Sequence, residues 1–591
     1  MPTEPPASLV ALFCDRARQS GPQVALLEKR GDDFAPLTWN ELAECVRTAA
    51  VALTELGVHP GDRVVQVSEN RGAWIVADLA IVALGAVHVP LHATLAGPQI
   101  VAQIADCGAR VVLLSGEEQA AKLAPLATNL PLDLQLRSYE ACETRLAGNP
   151  IERLDPLAAS VSTPAEPVLP AESGGRGSRR AAPAEPAPPA DSFLEDGAAR
   201  LSPDDLATIL YTSGTTGEPK GVMLSHGNLV GNTLATLEAF AQRSDDLRLN
   251  FLPFSHIFAR TCDIYTWIAS GATLAMSARR EEVIADCQQL QPTLINGVPY
   301  FFDKLYRALD QAGSAERPGA LAGLLGGRLR MACSGGAALP VALAEWFARQ
   351  QVPLIEGYGL TETSPVISCR RPDAVRIGTV GPPIQGVEVR IADDGEVLTR
   401  GPYVMQGYYN NPAATAEVIR DGWLSTGDLG TLDADGYLTI TGRKKEILVT
   451  AAGKNIAPVA IEALLTEDPL IEQAMIVGDG RNYLAALLVP STAALAAALG
   501  HASQADAAEG AATESAALDL HGDAVRQLYE QRIAARLADL AREEQVRRFV
   551  LLPRPWTIAA GELTPTLKLR RSVILEHFAD EVAALYDEPS A

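Results

Sequence analysis

Apolar runs of strand length alternate with helix-length runs from Arg63 onwards, and this alternation limits what the chain can fold into. The segments RVVQVSE, AVHVPLH and RVVLLSG resemble buried strands, and AWIVADLAIVALG and PQIVAQIADCG lie between them as helices. Buried strands separated by helices are typical of βαβ units around a mostly parallel sheet. We therefore predict an α/β fold with a large α/β body in the N-terminal part of the chain.

The charge balance limits the partners of such a body. The chain has 591 residues and a formal net charge of −23, from 49 Lys plus Arg and 72 Asp plus Glu. At roughly 100 to 200 residues per domain, this length allows about three to five domains. Because binding along a polyanion needs concentrated Lys and Arg, we expect no nucleic acid partner and no adhesion to anionic lipid by bulk charge. A local basic site for a small anion remains compatible with this charge.

Cysteine spacing and hydropathy indicate the compartment. Eight cysteines are scattered without a Cys-x-x-Cys pair, which argues against a disulfide framework or a zinc module. Residues 1–8 lack the basic and apolar pattern of a secretory signal. The most apolar window, Trp74 to Leu91, is interrupted by Asp78, His88 and Pro90, so it is predicted to be a helix and a strand, not a membrane span. We expect a cytoplasmic protein with at most peripheral contact with the inner face of the membrane.

Two stretches of weak pattern divide the chain. Residues 162–192, rich in Ala, Pro, Glu, Gly and Ser, cannot bury enough apolar surface to offset their ordering entropy, and we predict a disordered insertion that acts as a plain spacer. Ordered pattern continues to about Thr441. The helix APVAIEALLTED and the strands AMIVG and YLAALLVP then predict a small α+β domain, from which residues 500–518 loop out.

The segment Ala207 to His226, ATILYTSGTTGEPKGVMLSH, predicts a phosphate-binding loop. Two apolar strands flank a run of Ser, Thr and Gly that ends in Lys220, so hydroxyls, backbone N–H groups and one ammonium are available to phosphate oxygens. It is not a Walker A loop, because Pro219 precedes the lysine and Gly221 follows it where a Ser or Thr should begin a helix. We expect the nucleotide to be held by a hairpin-like loop.

This loop resembles the signature of the adenylate-forming superfamily of acyl-CoA synthetases, adenylation domains and luciferases. Six further motifs match in the expected order: LPFSHIF, CSGGAAL, EGYGLTETSP, GWLSTGDLG, GRKKEILVTAAGKNIAP and LTPTLKLRR. The match covers nearly the whole chain outside the insertion. The forms YGLTETSP, GKNIAP and LTPTLKLRR are most similar to the long-chain fatty acyl-CoA synthetase branch.

The resemblance implies an activity and a domain arrangement. The activity is that of an AMP-forming ligase, which makes acyl-AMP and pyrophosphate from a fatty acid and ATP with Mg²⁺ and then transfers the acyl group to coenzyme A. It also implies an N-terminal AMP-binding domain at residues 1–441, a hinge at 442–445 and a mobile C-terminal domain at 446–591. The partners would be a fatty acid, ATP and CoA.

The resemblance places several residues around the nucleotide. The residues expected to contact ATP are Thr212, Ser213, Gly214, Thr215, Thr216 and Gly217 at the phosphates, Gly335, Gly336, Ala337, Gly357, Tyr358 and Gly359 at the adenine, and Asp428 at the ribose, with Arg443 at the ribose or phosphate. Glycines let backbone approach the purine, and an aromatic face can stack on it. We expect Asp428 to lie in a loop after an apolar strand. A tight packing corner is the competing explanation for the glycines, and a turn residue is the competing explanation for Asp428.

Catalysis is assigned to four residues on the same basis. Lys568 matches the catalytic lysine of the family, Lys220 and Thr361 would hold phosphates, and Glu362 is the expected Mg²⁺ ligand, since this hard cation prefers oxygen ligands. Lys445 matches the hinge. Without the family, Thr361-Glu362 could cap a helix and Lys568 could be a surface lysine.

Two further places in the sequence have implied roles. The resemblance puts Gly453 and Lys454 beside the CoA tunnel and His256 in the acyl pocket. Two alternatives stay open. One is an acyl-AMP ligase that loads a carrier protein, and the other is a catalytically silent acyl- or nucleotide-binding protein.

Overall fold

The computed structural model describes residues 5–146, 148–157, 191–213, 219–499, 519–564 and 568–587. Most of the insertion predicted at 162–192 and the stretch 500–518 lie outside these ranges. Residues 191 and 192 begin a helix. No helix in the described part of the chain is long and apolar enough to cross a membrane.

The helices alternate with strands through most of the body. In chain order they are α1 (Leu9–Ser20), α2 (Trp39–Glu55), α3 (Gly72–Ala83), α4 (Gly97–Cys107), α5 (Glu117–Leu123), α6 (Asp191–Arg200), α7 (His226–Phe240), α8 (Ile257–Ala259), α9 (Thr266–Ser270), α10 (Val283–Leu290), α11 (Pro299–Gln311), α12 (Ala320–Leu324), α13 (Val341–Arg349), α14 (Pro412–Val418), α15 (Pro458–Thr466), α16 (Thr492–Ala498), α17 (Asp523–Arg536), α18 (Arg571–His577) and α19 (Ala579–Ala584). A π-helical turn, Arg260–Tyr265, joins α8 to α9.

The strands up to residue 443 form three sheets and a small hairpin. They are β1 (Val24–Arg30), β2 (Asp33–Thr38), β3 (Arg63–Val67), β4 (Val87–Leu91), β5 (Val111–Leu114), β6 (Gln135–Ser138), β7 (Arg145–Leu146), β8 (Asn149–Pro150), β9 (Glu152–Arg153), β10 (Leu206–Ser213), β11 (Pro219–Ser225), β12 (Leu247–Asn250), β13 (Thr273–Met276), β14 (Leu294–Gly297), β15 (Met331–Ser334), β16 (Leu354–Gly359), β17 (Val366–Cys369), β18 (Glu388–Ile391), β19 (Glu396–Arg400), β20 (Gly407–Tyr408), β21 (Ile419–Arg420), β22 (Trp423–Leu432) and β23 (Leu438–Arg443).

Two eight-stranded sheets carry the body. One has the order β17-β16-β15-β14-β12-β13-β1-β2 and the other β20-β11-β10-β4-β3-β5-β6-β9. Inner strands pair in parallel in both sheets, while antiparallel pairs lie towards the edges. The βαβ alternation predicted from Arg63 is confirmed by β3, α3, β4, α4 and β5.

The core of the body explains why these runs are so apolar. Every residue of α3 is buried, as expected for a helix that is hydrophobic on all sides. Gly85 takes a φ of +71° between α3 and β4, a conformation that favours glycine at this turn. The predicted division of the apolar window at this place is confirmed.

A third sheet and the C-terminal elements complete the fold. The third sheet has the order β18-β19-β22-β21, and β23 pairs with β22. The remaining strands are β24 (Leu448–Val449), β25 (Asn455–Ile456), β26 (Ile471–Val477), β27 (Leu484–Pro490) and β28 (Val546–Leu551). Strands β26, β27 and β28 form a sheet whose apolar residues pack with α15 and α17. The predicted α+β character of this region is confirmed.

Candidate active site

The site begins at the carboxyl ends of two neighbouring parallel strands. Ser334, the last residue of β15, is in register with Glu356 on β16, and Gly357, Tyr358 and Gly359 complete β16 beyond that pair. The predicted adenine residues 335–337 and 357–359 are thereby brought together. Carboxyl ends of strands are where α/β sheets bind ligands.

Close contacts or a positive φ favour glycine at three positions of these segments. A Cβ at Gly335 would lie 3.0 Å from the Phe258 ring, and a Cβ at Gly359 would lie 1.8 Å from the carbonyl oxygen of Pro365. Gly336 adopts a φ of +83°. Gly359 therefore belongs to a tight packing corner of the chain itself, whereas Gly335 keeps the segment close against the Phe258 ring.

Tyr358, Asp428 and Arg443 form one hydrogen-bonded group. The Tyr358 hydroxyl donates to Asp428 Oδ2 at 2.7 Å, and Arg443 Nε lies 2.8 Å from Asp428 Oδ1. Asp428 is buried, and burial raises the pKa of its carboxyl group against the opposing charges of Arg443 and Lys568. The Asp428 carboxylate on β22 therefore contacts both Tyr358 of the predicted adenine segment and Arg443 of β23.

The expectation that Asp428 lies in a loop after a strand is wrong. Asp428 is within β22, directly opposite Arg443 on β23. Gly427 has a φ of +73°, and the residues from Leu424 to Gly430 alternate between buried and partly buried positions. Burial that alternates every second residue is typical of a β-strand. A glycine with positive φ is compatible with it, because such a glycine can form an irregularity within a paired strand.

The phosphate side of the site is built on a hairpin. Strands β10 and β11 pair antiparallel with Thr212 opposite Lys220, and the Thr212 hydroxyl donates to the Lys220 carbonyl at 3.5 Å. The predicted flanking strands are confirmed. The residues between them, Gly214, Thr215, Thr216 and Gly217, and the side chain of Ser213 lie outside the described part of the structure.

Tyr408 links the two predicted phosphate-side residues and was not anticipated from the sequence. The Lys220 ammonium lies over the Tyr408 ring, 5.1 Å from its centre. The Tyr408 hydroxyl donates to Glu362 Oε1 at 2.8 Å, and burial together with Glu362 raises the pKa of Tyr408. Its only sequence signal is an aromatic residue after Gly407, which gives no hint of its partners.

Glu362 has a donor chemistry that fits Mg²⁺. It lies with Thr361 in the 3-10 turn Thr361–Thr363, and its backbone carbonyl accepts from Met405 N at 2.8 Å. Within the described ranges, no group of three or more His, Cys, Asp or Glu side chains could hold a metal ion. A single carboxylate beside a phosphate loop suits Mg²⁺, which takes one or two carboxylates and completes its shell with phosphate oxygens and water.

Lys568 reaches this site from the C-terminal region. Its backbone N–H donates to the Thr564 hydroxyl at 3.0 Å, and the Thr564 N–H donates to the Lys568 carbonyl at 2.9 Å. Lys568 retains solvent contact, yet protein atoms crowd its ammonium, and this desolvation together with Arg443 lowers the pKa of Lys568. Asp428 and Glu362 act in the opposite direction, so the lysine lies within electrostatic range of both predicted acids.

His256 also lies near this lysine. Its Nδ1 accepts from Phe258 N at 3.2 Å, and its ring stacks on His92 with centres 6.4 Å apart. Burial, with His92 and Lys568, lowers the pKa of His256 to about 3. A neutral histidine whose Nδ1 lone pair is engaged is suited to shaping a pocket and unsuited to accepting a proton at that atom.

The predicted hinge and CoA residues follow Arg443 in the chain. Lys445 is in the 3-10 turn Lys444–Glu446, which follows β23 directly. Gly453, with a φ of +74°, and Lys454 form the turn between β24 and β25, and Lys454 N donates to the Thr450 hydroxyl at 3.2 Å. The described hydrogen bonds of this turn stay within the C-terminal region.

A buried network of charged residues contacts strand β10, which leads into the phosphate loop. Arg260 contacts Asp78 at 2.5 Å and the hydroxyl of Thr208 on β10 at 2.6 Å, and His88 Nδ1 lies 2.7 Å from Asp78. Burial opposes ionisation of Asp78, but Arg260 and His88 outweigh it and lower the Asp78 pKa to about 2. The polar interruptions in the apolar window therefore tie α3 to the strand that enters the phosphate loop, Leu206–Ser213.

Comparisons with known proteins agree with this geometry. Residues 13–409 match the family described as AMP-binding enzyme, and residues 445–590 match the AMP-binding enzyme C-terminal domain. The chain is 35% identical to the long-chain-fatty-acid–CoA ligase FadD15 of Mycobacterium bovis over 94% of this chain and 93% of that protein. It is 27% identical to the human long-chain-fatty-acid–CoA ligase ACSBG1, over 99% of this chain and 86% of that one.

Solved structures share the fold. The anthranilate CoA ligase AuaEII in complex with anthranoyl-AMP superposes with a TM-score of 0.73 at 19% identity, covering 98% of this chain and 99% of that one. ATP-bound MatB from Rhodopseudomonas palustris has a TM-score of 0.69 at 23% identity, with 97% and 99% covered.

Proposed function

This chain belongs to the AMP-binding enzyme family, and on that premise we propose that it is a long-chain fatty acid–CoA ligase. It converts a fatty acid, ATP and CoA into acyl-CoA, AMP and pyrophosphate. The observation that carries the proposal is the convergence of Lys568 with Asp428, Arg443 and Glu362 in one site, in a chain 35% identical to a ligase of this class over nearly its full length.

The first step joins two anions. A fatty acid carboxylate oxygen attacks the α-phosphorus of ATP, the bond from that phosphorus to the bridging oxygen breaks, and pyrophosphate leaves. Neutralising and aligning these charges is the main barrier. We assign Lys568 to the carboxylate and α-phosphate, and Lys220, Thr361 and the Thr212–Gly217 loop to the other phosphates.

The nucleotide is held at the other side of the site. Tyr358 and the segments 335–337 and 357–359 border the adenine, and Asp428 with Arg443 holds the ribose. Glu362 would hold Mg²⁺, which would supply charge neutralisation at the phosphates. Tyr408 orients the Glu362 carboxylate through its hydroxyl.

The second step needs a different arrangement. The CoA sulfur attacks the acyl carbon, the bond from that carbon to the phosphate oxygen breaks, and AMP leaves. We propose that the C-terminal domain, residues 446–591, turns about the hinge at 442–445 relative to the body, residues 1–441. In this movement Lys568 leaves, and Gly453 and Lys454 approach the thiol path. His256 lines the acyl pocket.

One assay tests the activity directly. Pyrophosphate release and thioester formation are measured with acids from acetate to oleate, with and without CoA. We expect CoA thioesters with long-chain acids. Pyrophosphate release with long-chain acids but no CoA thioester would instead favour a ligase that loads a carrier protein, and no release with any acid would favour a silent binding protein. The cytoplasmic location and peripheral membrane contact stay predictions, which cell fractionation would test.

A further inference from the structure

Helix α11 of the body contacts the C-terminal domain through one arginine. Arg307 Nη2 donates to the carbonyl of Thr466 at 2.7 Å, and Arg307 Nη1 donates to the carbonyl of Pro469 at 3.3 Å. Arg307 Nε also lies 2.5 Å from Asp303, one turn earlier on the same helix. A single guanidinium therefore uses three nitrogens, two of them across the boundary between the proposed domains.

The acceptors are groups that a helix leaves unsatisfied. Thr466 is the last residue of α15, and the last four carbonyls of a helix have no partner within it. A cation at this end also interacts favourably with the helix dipole. Within the C-terminal domain, Arg536 donates to the next carbonyl, that of Glu467, at 3.0 Å. The end of α15 is thus shared between an arginine of its own domain and an arginine of the body.

Arg307 lies among charged side chains from both domains, including Asp303 of the body and Glu467 of the C-terminal domain. Asp303 on the body raises the pKa of Glu467 on the C-terminal domain, in addition to the effect of burial. The two carboxylates are therefore within electrostatic range of each other across the boundary, and each has an arginine partner, Arg307 for Asp303 and Arg536 for Glu467. Without Arg307, repulsion between these carboxylates would oppose the present arrangement of the two domains.

Helix α15 also connects this contact to the catalytic lysine. Glu462, on the same helix, accepts two hydrogen bonds from Arg571, at 2.7 and 2.5 Å. Arg571 begins α18, three residues after Lys568. The helix end that Arg307 holds and the segment that carries Lys568 are therefore linked through one buried ion pair.

Helix α11, which carries Arg307, begins next to the predicted adenine segment. Helix α11 starts two residues after Gly297, whose carbonyl accepts from Gly335 N at 3.2 Å in the adenine segment. Phe302 of α11 is fully buried in the core beneath. Arg307 thus projects from a helix that begins next to the predicted adenine segment and is packed into the core of the body.

We propose that Arg307 is a positioning residue, which latches the C-terminal domain in the orientation that places Lys568 in the site and so favours acyl-AMP formation over thioester formation. The inference rests on the proposed function. It adds a determinant outside the sequence motifs, because the hydrogen bonds described for Arg307 are with Asp303, Thr466 and Pro469.

The test uses the full chain with Arg307→Ala. Two rates are measured: fatty-acid-dependent ATP–pyrophosphate exchange, and conversion of supplied acyl-AMP by CoA. Because each step uses one orientation, the ratio of the two rates follows the ratio of the two populations. We expect this ratio to fall about tenfold, which corresponds to about 1.4 kcal/mol. The KM values for ATP and fatty acid should stay unchanged.

Three variants separate a latch from general damage. Lys304→Ala removes a cation from the same helix, and Arg532→Ala removes the partner of Asp468 beside the same turn but within the C-terminal domain. Both should leave the ratio unchanged. Arg307→Lys keeps the charge but not the fork of donors, and should lie between wild type and Arg307→Ala. An unchanged ratio in both Arg307 variants, or an equal loss of both rates, would overturn the proposal.

A distance measurement keeps the latch testable if the wild type proves inactive with every acid. Nitroxide labels are placed at Val341→Cys on the body and Leu575→Cys on the C-terminal domain, both exposed positions, in a Cys142→Ser background that leaves seven buried cysteines. Pulsed EPR should show one main distance in the parent and a larger second population with Arg307→Ala. Identical distance distributions would refute the latch, whereas inactivity alone would refute only the proposed function.

Discussion

The Tyr408 hydroxyl lies 2.8 Å from Glu362 Oε1, while the ring of the same tyrosine lies beneath the Lys220 ammonium. One side chain thus holds both the proposed metal ligand and a proposed phosphate ligand. The two contacts can be tested separately, because a substitution can remove the Tyr408 hydroxyl and keep its ring.

We therefore predict that Tyr408→Phe lowers the affinity for Mg²⁺ while it keeps the ring contact with Lys220. Removing a group that orients a metal ligand typically costs 10- to 100-fold in metal affinity. We expect the Mg²⁺ concentration for half-maximal activity to rise about tenfold in a pyrophosphate-release assay. Tyr409→Phe, which changes the neighbouring phenol, serves as the control. Equal Mg²⁺ titrations of Tyr408→Phe and wild type would contradict the assignment.

Lys568→Ala should slow the first step selectively. The ammonium is the proposed partner of charge on the carboxylate and α-phosphate, and loss of one such preorganised group costs about 100- to 1000-fold. Fatty-acid-dependent ATP–pyrophosphate exchange should fall by that amount, while supplied acyl-AMP still reacts with CoA. Lys454→Ala should have the opposite signature. Normal exchange in Lys568→Ala would show that this lysine has no role in acyl-AMP formation.

Lys445→Pro should give a pattern opposite to that of Lys568→Ala. Lys445 lies in a 3-10 turn, whose φ near −60° a proline can adopt, but proline cannot follow a large change of φ. We expect acyl-AMP formation to continue and thioester formation to be lost. Lys445→Ala removes the side chain without fixing φ and should support both steps. Comparable loss of both steps in the proline variant would argue against a hinge at this residue.

Buried histidines should make the fold sensitive to mild acid. Burial lowers the pKa of His226 from 6.5 to about 4, and its Nδ1 accepts from Leu9 N at 3.3 Å. The unfolded chain then binds a proton that the native chain refuses, so the free energy of unfolding falls as the pH drops from 6.5 towards 4 and no longer changes through this group below that value. This group alone accounts for about 2 kcal/mol between pH 7 and 5.

Urea unfolding at pH 7 and pH 5 measures this effect. His226→Gln should be less stable than wild type at pH 7 but should lose less stability on acidification. His59→Gln, at an exposed position, should keep the pH dependence of wild type. The same pH dependence in His226→Gln and wild type would exclude His226 as a source of the acid sensitivity.

The sequence predicted the parts of this molecule that depend on short-range pattern. The βαβ alternation from Arg63 and the hairpin around the phosphate loop are local, because strand length, helix period and glycine content are read within about twenty residues. The position of Asp428 was misjudged for a related reason. An Asp after a Gly suggested a turn, but pairing with β23 keeps the segment in a ladder.

Contacts between distant segments could not be predicted in this way. Tyr408 meets Glu362 because β20 joins the edge of the sheet beside β11, and Arg307 meets Thr466 across 159 positions of sequence. Asp78 and His88 were visible only as interruptions of an apolar run. Their meaning depends on Arg260, which comes from a different part of the chain. Such partners are set by tertiary packing, which leaves no periodic trace in the sequence.

The register of β22 and β23 places the proposed ribose ligand, Asp428, next to the strand end that leads into the proposed hinge. Asp428 faces Arg443 on adjacent strands, and Arg443 precedes the proposed pivot by only two residues. A ribose that engages Asp428 competes with Arg443 for the same carboxylate, so arrival or departure of the nucleotide changes what holds the strand entering the pivot. On the proposed roles of Asp428 and Lys445, the event that empties or fills the pocket would therefore also act on the joint at which the small domain turns.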